Sequence, residues 1–501
     1  MKILILHAIK DLQSLRRTTL NQSFCLLKHA PEHEYTLHCL GRAVTPELRE
    51  REFDAIILDT TFLCYRWAQP RSIFAGLMDE YRFIADSCAV KVALPQDDYN
   101  HCAILDEWLA AWNVDAVFSP LAKHATFLFP ITMRRAAVQP CLTGHLDPAD
   151  QAIAASFKRP FEAREIDVGY RAANLPPQFG RLGRTKSEIG QRFVQALGVD
   201  HGLRLDISID PRDVLSGDRW LQFLCNARFA LGSVSGSSVV DPYGRIGDAI
   251  QAYTREHPDA SFDEVEAACF PGLDGERELA GIGPRSIETA LAETCQIVVP
   301  SPDLAPFEPD VHYIPLTPDC SNISEVRRQM RDTALVKQRI AAALELVCET
   351  PLFRSENFAR RILAEIERVR EVQSAPPSQQ LPDAVSAAAR SLLAEQRITV
   401  HLAEVELTQL AANLADSTAN ERSLNLKLAQ RSGPRGGIRE ILRVNDAILS
   451  DGSVDPKARH TSGLWVYLTL RTAHYCIRFL GHGLGQLALP RFCRGWLRFR
   501  K

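Results

Sequence analysis

The sequence has few of the features that mark secreted, metal-binding or membrane proteins. It contains 13 cysteines in 501 residues, but no pair has C-x-x-C spacing and none has histidines at zinc-finger spacing. No apolar run approaches the roughly 18 residues of a membrane span. The apolar run at residues 3–6 is also too short for a secretory signal. These absences predict a cytoplasmic protein with reduced thiols and no spanning helix.

Two phosphate-binding motifs are also missing. Neither G-x-G-x-x-G nor G-x-x-x-x-G-K-[ST] occurs, and residues 7–18, which follow the first apolar run, include no glycine. The sequence therefore speaks against a nicotinamide enzyme and a P-loop nucleotide hydrolase.

The composition is that of a folded multidomain protein. Hydrophobic residues make up 46% and charged residues 24%, with 27 glycines and 29 prolines. These values are near globular averages and exclude collagen-like and wholly disordered chains. The length predicts two to four domains.

Short apolar runs alternate with helix-like stretches over the first three quarters of the chain. One set of runs begins near residues 2, 54, 90 and 115, and a second near 164, 203, 227, 296 and 312. Strands that alternate with helices favour parallel sheets with right-handed crossovers. We predict an α/β fold of two tandem Rossmann-like domains, at 1–150 and 155–372, the second including helices near 334–348 and 355–372.

The composition changes after this point. We interpret 373–382 as a linker, 383–430 as a helical segment that is either docked or a short coiled coil, and 438–501 as a basic amphipathic tail. Residues 456–501 hold nine Lys or Arg and no acid, which gives this segment a charge of +9. Because the whole chain has a net charge of −3, residues 1–455 carry −12. Arginines interleaved with aromatics favour contact with an anionic membrane surface. Docking within the chain remains an alternative, and nucleic acid is not an expected partner because the body is acidic and no recognition motif is present.

Ligands of Rossmann sheets bind beyond the carboxyl ends of the strands, so the loops at those ends are the candidate sites. The loop Gly232-Ser-Val-Ser235-Gly-Ser-Ser238 is either an anion nest, with Gly232 and Ser235 at its centre, or an ordinary turn. Gly281-Ile-Gly283-Pro284-Arg285 leads into a helix whose free N–H groups favour phosphate. Glu288, one turn further along, is placed to accept protons from ribose hydroxyls.

A third candidate loop, Gln96-Asp97-Asp98-Tyr99-Asn100-His101, follows a strand of the first domain. Asp97, Asp98 or His101 in a cleft could take a proton from an acceptor hydroxyl. The competing interpretation is that the two aspartates cap a helix. His7 is more simply explained as structural, and His145 fits either role.

At Arg285-Ser-Ile-Glu288-Thr-Ala and the strand-like 296–299 that follows, the sequence resembles nucleotide-sugar glycosyltransferases of the two-Rossmann (GT-B) type, in their bacterial surface-polysaccharide and spore-maturation branches. Residues 312–331 resemble the closing strand and helix of that family. The sequence Val168-Gly-Tyr-Arg171, with Lys186 downstream, is similar to the pattern in which an Arg and a Lys hold the donor diphosphate. The resemblance covers residues 1–340 and is strongest over 227–330.

The resemblance has one departure. Many retaining members carry an acid eight residues before the position of Glu288, where this chain has Ala280, although Asp274, Glu276 and Glu278 lie just upstream. The stereochemical course therefore stays open. Arg181 and Arg184 remain alternatives to Arg171 and Lys186 as diphosphate ligands.

The resemblance implies a glycosyltransferase, of hexosyltransferase type, that moves a sugar from a nucleotide-sugar donor to a surface-glycan or lipid-linked acceptor. It implies no metal or other cofactor, because side-chain cations take the place of a metal. Cysteine usage predicts the cytoplasmic location, and the basic tail predicts a peripheral position at the inner membrane face. The alternative is a non-catalytic assembly protein of a polysaccharide pathway, favoured by Ala280 and the glycine-free first loop.

Overall fold

The computed structural model of the chain describes residues 1–11 and 16–373. The predicted helical segment, the tail and all but the first residue of the predicted linker lie outside the described residues. Among the residues it describes, no helix is both long and apolar enough to span a membrane.

The first domain is a six-stranded parallel sheet in the order β2-β1-β3-β4-β5-β6. Its strands are β1 (Lys2–His7), β2 (Glu34–Cys39), β3 (Ala55–Leu58), β4 (Val90–Ala93), β5 (Ala116–Ser119) and β6 (Ala137–Pro140). The strands β1, β3, β4 and β5 are buried on both faces, which explains why their runs are mostly apolar. Strands β2 and β6 lie at the two edges and carry polar residues, so the apolar pattern did not predict them.

The second domain is a five-stranded parallel sheet in the order β13-β12-β9-β7-β8. Its strands are β7 (Ile166–Arg171), β8 (Leu205–Ser208), β9 (Ala227–Gly232), β12 (Cys295–Val298) and β13 (Tyr313–Pro315). A separate two-stranded antiparallel sheet pairs β10 (Ser235–Ser237) with β11 (Leu279–Gly281). In both sheets the first strand in sequence lies between the second and third, which places a topological switch point at its carboxyl end.

Helices connect the strands. They are α1 (Arg17–Ser23), α2 (Cys25–His29), α3 (Pro46–Glu50), α4 (Thr60–Leu63), α5 (Ser72–Glu80), α6 (Arg82–Asp86), α7 (Cys102–Ala111), α8 (Ala125–Leu128), α9 (Pro148–Phe157), α10 (Gly180–Leu197), α11 (Asp218–Asn226), α12 (Arg245–Glu256), α13 (Phe262–Cys269), α14 (Pro284–Leu291), α15 (Ile323–Arg331), α16 (Thr333–Glu349) and α17 (Ser355–Gln373). The predicted fold class, two tandem Rossmann-like domains, is confirmed.

One helix belongs to a different domain from the one predicted. Helix α17 was expected to pack beside the second sheet, but Phe358, Ile362, Ile366 and Val369 are buried in the core that covers one face of the first sheet. The chain therefore returns to the first domain at the end of the described residues. Helix α17 packs its apolar face on α2 and β4, and sequence periodicity does not say which sheet such a face covers.

Candidate functional site

The carboxyl edges of the two sheets face one another, and residues from both domains meet between them. The segment after β1 contributes Arg16 and Thr18, and the second domain contributes Trp220 from α11 and Glu288 from α14. A further hydrogen bond joins the domains beside this group, from Thr143 Oγ1 to the carbonyl oxygen of Ile282 at 3.0 Å. Residues from both domains thus contribute to one cluster of side chains.

Glu288 is at the centre of this cluster and is only 5% exposed. Its Oε1 accepts a hydrogen bond from Thr18 Oγ1 at 2.8 Å, and its Oε2 accepts one from Trp220 Nε1 at 2.7 Å. The Arg16 guanidinium lies 3.6 Å from Oε2. The sequence predicted a carboxylate open to ribose hydroxyls, but in this structure protein donors cover both of its oxygens.

Trp220 connects the positive charges of the site. The guanidinium carbons of Arg16 and Arg285 lie 5.6 and 5.9 Å from the centre of its ring. Trp220 itself is 6% exposed, and its ring nitrogen is fixed by Glu288. Two arginines from different domains are therefore held at one indole ring, which a cation–π attraction favours.

Arg285, in the first turn of α14, is oriented by aromatic and backbone contacts. Its guanidinium stacks over Tyr170 at 4.7 Å and donates through one terminal nitrogen to the carbonyl of Arg171. Its Nε is buried and has no hydrogen-bond partner among the described residues. A buried donor of a charged group without a partner is costly, so an acceptor is expected there.

Lys186 is on the second turn of α10, which begins at Gly180. The hydroxyl of Tyr170 donates to its carbonyl at 2.6 Å. Its ammonium makes no hydrogen bond or ion pair with any other residue in the described part of the chain. Burial, followed by the charges of Arg285 and Arg16, lowers the pKa of Lys186 to about 8. Its ammonium is therefore destabilised by neighbouring cations that an anion would offset.

Arg171 is engaged within its own domain. Its guanidinium donates to the carbonyl oxygens of Asp206 and Asp213, pairs with the Asp206 carboxylate at 2.6 Å and stacks on Phe223 at 4.6 Å. The side chain thus fastens β7 to β8 and α11. These contacts occupy most of its N–H donors, and the phosphate-binding role that the family pattern implies stays a prediction.

The alternatives Arg181 and Arg184 are also engaged. Arg181 pairs with Glu266 at 2.6 Å, Arg184 pairs with Glu188, and both stack on Phe262. Of the four cations that the sequence could not rank, the structure leaves only Lys186 without an anionic partner at hydrogen-bond distance among the described residues.

The predicted anion nest at Gly232 and Ser235 connects two strands. Gly232 ends β9 and Ser235 begins β10, where Ser235 pairs with Gly281 of β11. A Cβ on Gly283 would lie 2.6 Å from Ser235 Oγ, so the start of α14 packs closely on β10. The role of these residues in ligand binding remains a prediction. What the structure shows is that Gly232, Ser235 and Gly283 position the first turn of α14.

Ala280 and the nearest described acid, Asp274, both have structural contacts. Ala280, in β11, pairs with Gly236 of β10 and is buried. Asp274 accepts from the backbone N–H of Arg181 at 3.0 Å and from Ser238 Oγ at 2.6 Å, which caps α10. Asp274 is therefore a capping residue.

The loop at 96–101 is wrapped around the fully buried Arg66. The Arg66 guanidinium donates to the carbonyls of Gln96, Asp97 and Asn100 at 2.9 to 3.0 Å. Asp97 has φ +50° and an exposed side chain, and its Oδ1 accepts from Tyr99 Oη at 2.7 Å. Its charge also acts on Lys186, where it opposes the lowering of the pKa. Of the three predicted bases, Asp97 is the one in contact with solvent.

Asp98 is placed differently. It is 0% exposed, and Ser119 Oγ donates to its Oδ2. Burial raises the pKa of Asp98 to about 6. The role predicted for it required contact with an acceptor, and such contact is not possible for a side chain enclosed in the core of the first domain.

His101 is held by contacts on both of its ring nitrogens. Its Nε2 lies 2.9 Å from an Arg71 nitrogen and its Nδ1 lies 2.8 Å from Asn100 Oδ1, while its backbone N–H donates to the carbonyl of Asp241 across the domain junction. Burial, and then Arg71, lowers the pKa of His101 to about 4. The backbone of His101 thus links the two domains, and its role as a base stays a prediction.

His7 and His145 are both buried, which agrees with a structural role. His145 stacks on Phe358 with ring centres 4.3 Å apart. In the described ranges no group of three or more His, Cys, Asp or Glu side chains is arranged to hold a metal ion.

Sequence reasoning missed Arg16, Thr18, Tyr170 and Trp220. Only Tyr170 lies within a quoted pattern, and there as the residue before Arg171. Each of the four becomes part of the site through a contact over 68 residues or more or through stacking on Arg285. The only local signal was position, because Arg16 and Thr18 follow β1 at the switch point.

Comparison with known proteins gives structural matches only. No family model and no curated protein matches the sequence. An alpha-glucosyltransferase in complex with UDP-glucose and DNA containing an abasic site matches with TM-score 0.41 at 10% identity, covering 73% of this chain and 99% of its own. HepE of Anabaena in complex with UDP matches with TM-score 0.41 at 11% identity, over 74% and 100% of the two chains. Sucrose-phosphate synthase from Thermosynechococcus elongatus matches with TM-score 0.43 at 11% identity, over 75% and 100%. At TM-scores below 0.5, what this chain binds has to be argued from its own residues.

Proposed function

We propose that the chain is a nucleotide-sugar glycosyltransferase. The donor's diphosphate would bind between the domains, on Lys186 and Arg285. The observation that carries the proposal is the convergence of cations at this point with too few anions to balance them. Lys186 and Arg285 have no carboxylate at hydrogen-bond distance among the described residues, and Glu288 pairs with Arg16 instead.

A diphosphate would satisfy this arrangement. It brings two or more negative charges to Lys186 and an acceptor oxygen to the unpartnered Nε of Arg285. As the bond from the sugar to the diphosphate breaks, negative charge grows on the leaving group, and preorganised cations stabilise it more in the transition state than in the ground state.

Asp97 is the proposed base. It comes from the first domain, is exposed, and acts on Lys186 of the second domain through its charge. In the proposed step the acceptor oxygen forms a bond to the anomeric carbon, the bond from that carbon to the diphosphate breaks, and the acceptor proton passes to Asp97. Tyr99, which donates to Asp97, fixes the carboxylate.

The acceptor is proposed to be a surface glycan or a lipid-linked carrier, with the basic tail at 438–501 holding the protein at the inner membrane face. Both parts depend on the sequence alone. Deleting residues 456–501 should release the protein from anionic vesicles and leave donor hydrolysis unchanged. Continued vesicle binding would contradict this role of the tail.

A non-catalytic assembly protein is the second candidate, and the covered state of Glu288 favours it. A scaffold would keep the contacts of Glu288 with Thr18, Trp220 and Arg16 permanently. Incubation with a panel of nucleotide sugars separates the two candidates. The enzyme should be stabilised against heat by at least one donor and should hydrolyse it slowly, and a Lys186→Met control should show neither effect. Stabilisation without hydrolysis would favour the scaffold, and no stabilisation by any donor would contradict the glycosyltransferase.

A further inference from the structure

Arg16 is the one cation of the cluster that comes from the first domain. It precedes α1, its guanidinium lies 3.6 Å from Glu288 Oε2, and it stacks over Trp220 at 5.6 Å. Its side chain is 39% exposed, compared with 7% for Glu288. Arg16 thus lies on the open side of the pair and covers the carboxylate.

Two neighbouring charges act on Arg16 in opposite directions. Glu288 attracts its guanidinium and Arg285 repels it, and burial together with that repulsion lowers the pKa of Arg16. A second anion between Arg16, Arg285 and Lys186 would remove the repulsion and compete directly with Glu288 for the guanidinium. The glycine-free segment 7–18 provides this side chain at the place where many Rossmann sheets offer backbone N–H groups instead.

We infer that Arg16 is a third ligand of the donor's diphosphate, and that Glu288 holds it until nucleotide binds. On binding, Arg16 moves from the Glu288 carboxylate to the diphosphate, and Glu288 becomes accessible to the hydroxyls of the pentose. This inference rests on the proposed function, because it assumes that the anion is a nucleoside diphosphate.

The exchange predicts that the two halves of the ligand depend on each other. Pyrophosphate can attract Arg16 but gives Glu288 no hydroxyl donors in return. A nucleoside can donate hydroxyls, but it cannot remove Arg16 from Glu288. The nucleoside diphosphate does both, so it should bind more tightly than the separate affinities of its parts would suggest.

Titration calorimetry on the full chain tests this with three ligands: pyrophosphate, uridine or guanosine, and the corresponding diphosphate. Arg16→Gln should weaken binding of the diphosphate about 10- to 100-fold and should strengthen binding of the nucleoside. Glu288→Gln should have the opposite pattern, with pyrophosphate bound several-fold more tightly because Arg16 is released. Arg17→Gln is the matched control, since Arg17 pairs with Asp150 and Asp218 and should change none of the three affinities.

Thr18→Val provides a second route if Glu288→Gln does not fold. It removes one hydrogen bond to Glu288 and no charge, so nucleoside affinity should rise while pyrophosphate affinity stays constant. If the wild-type chain binds no nucleoside diphosphate, the proposed function itself fails. If it binds one, but Glu288→Gln leaves pyrophosphate affinity unchanged or Arg16→Gln leaves diphosphate affinity unchanged, only the exchange is overturned. With Thr18→Val in place of Glu288→Gln, an unchanged nucleoside affinity overturns it equally.

Discussion

The two sheets have the same order for their first five strands, yet their carboxyl edges carry opposite chemistry. The edge of the first sheet is lined by buried acids, Asp59 and Asp98, both 0% exposed and both with a raised pKa. The edge of the second sheet is approached by the cations Lys186 and Arg285. Strand order thus fixes where a site lies, while the charges of the residues just beyond the strands decide which ligands the site attracts.

The difference also separates two kinds of burial. The acids of the first edge are enclosed by their own domain, as in the Ser119–Asp98 hydrogen bond. The cations of the second edge stay half-buried and have few partners. Asp59 and Asp98 each keep one buried oxygen without a hydrogen-bond partner among the described residues, and burial raises the pKa of both, which favours their neutral form. The cations of the second edge keep their charge, and unmet charge of this kind indicates a ligand.

Asp97→Asn gives the largest expected effect, because Asp97 is the one predicted base of the first edge that is exposed. Turnover with the donor and acceptor should fall about 10²- to 10⁴-fold, the usual contribution of a positioned base. Nucleotide affinity should stay within a few-fold of the wild type. Steady-state kinetics and calorimetry provide the two measurements. Asp79→Asn, an exposed acid paired only with Arg82 at 3.5 Å, is the control, and normal turnover by Asp97→Asn would remove Asp97 from the chemistry.

Lys186→Met removes a positive charge of the second edge that has no ion-pair partner among the described residues. We expect nucleoside diphosphate affinity to fall about 10- to 100-fold, the cost of a lost hydrogen bond to a charged group. At pH 7 the same variant should unfold at a higher temperature than the wild type, because a cation repelled by Arg285 and Arg16 has been removed. Lys158→Met, whose ammonium pairs with Glu293 on the surface, should show neither change. Unchanged affinity in Lys186→Met would place the diphosphate elsewhere.

The pH dependence of nucleoside diphosphate binding tests whether the Lys186 ammonium contacts the anion. The pKa of Lys186 is lowered to about 8, so its ammonium is lost as pH rises through that value. Anion binding favours the charged form, so affinity should be constant below pH 7 and fall by up to about tenfold between pH 8 and 9.5. Calorimetry of Lys186→Arg should give a flat profile over this range, since arginine stays charged. A wild-type profile that is equally flat would show that Lys186 does not contact the anion.

Asp98→Asn should affect stability and not binding. The pKa of Asp98 is raised to about 6 by burial, so between the unfolded value near 3.8 and pH 6 the folded protein holds a proton that the unfolded chain has released. Its contribution to the free energy of unfolding is therefore complete below pH 3.8 and is lost as pH rises through 6. Denaturant titrations should show the wild type losing about 3 kcal/mol relative to Asp98→Asn across this window. A constant difference between the two proteins would contradict the raised pKa.

The sequence predicted the fold because the inner strands of both sheets are apolar on both faces and strand alternates with helix. It predicted less of the site. Asp97 and Lys186 were proposed from the loops after strands and from the family pattern, and their roles stay predictions. Spacing did not reveal that Arg171 pairs with Asp206. Arg16 and Trp220 were missed because their contacts with Glu288 bring together residues that are distant in the sequence.

The return of α17 to the first sheet has a consequence for how the chain folds. Phe358, Ile362 and Ile366 complete a core that also contains Ile3 and Val90, which lie more than 250 residues earlier. The first domain is therefore incomplete without α17, and a chain cut near residue 150 would expose an apolar face of the first sheet. The protein should melt in one cooperative transition, and the first domain should not survive as a separate recombinant fragment.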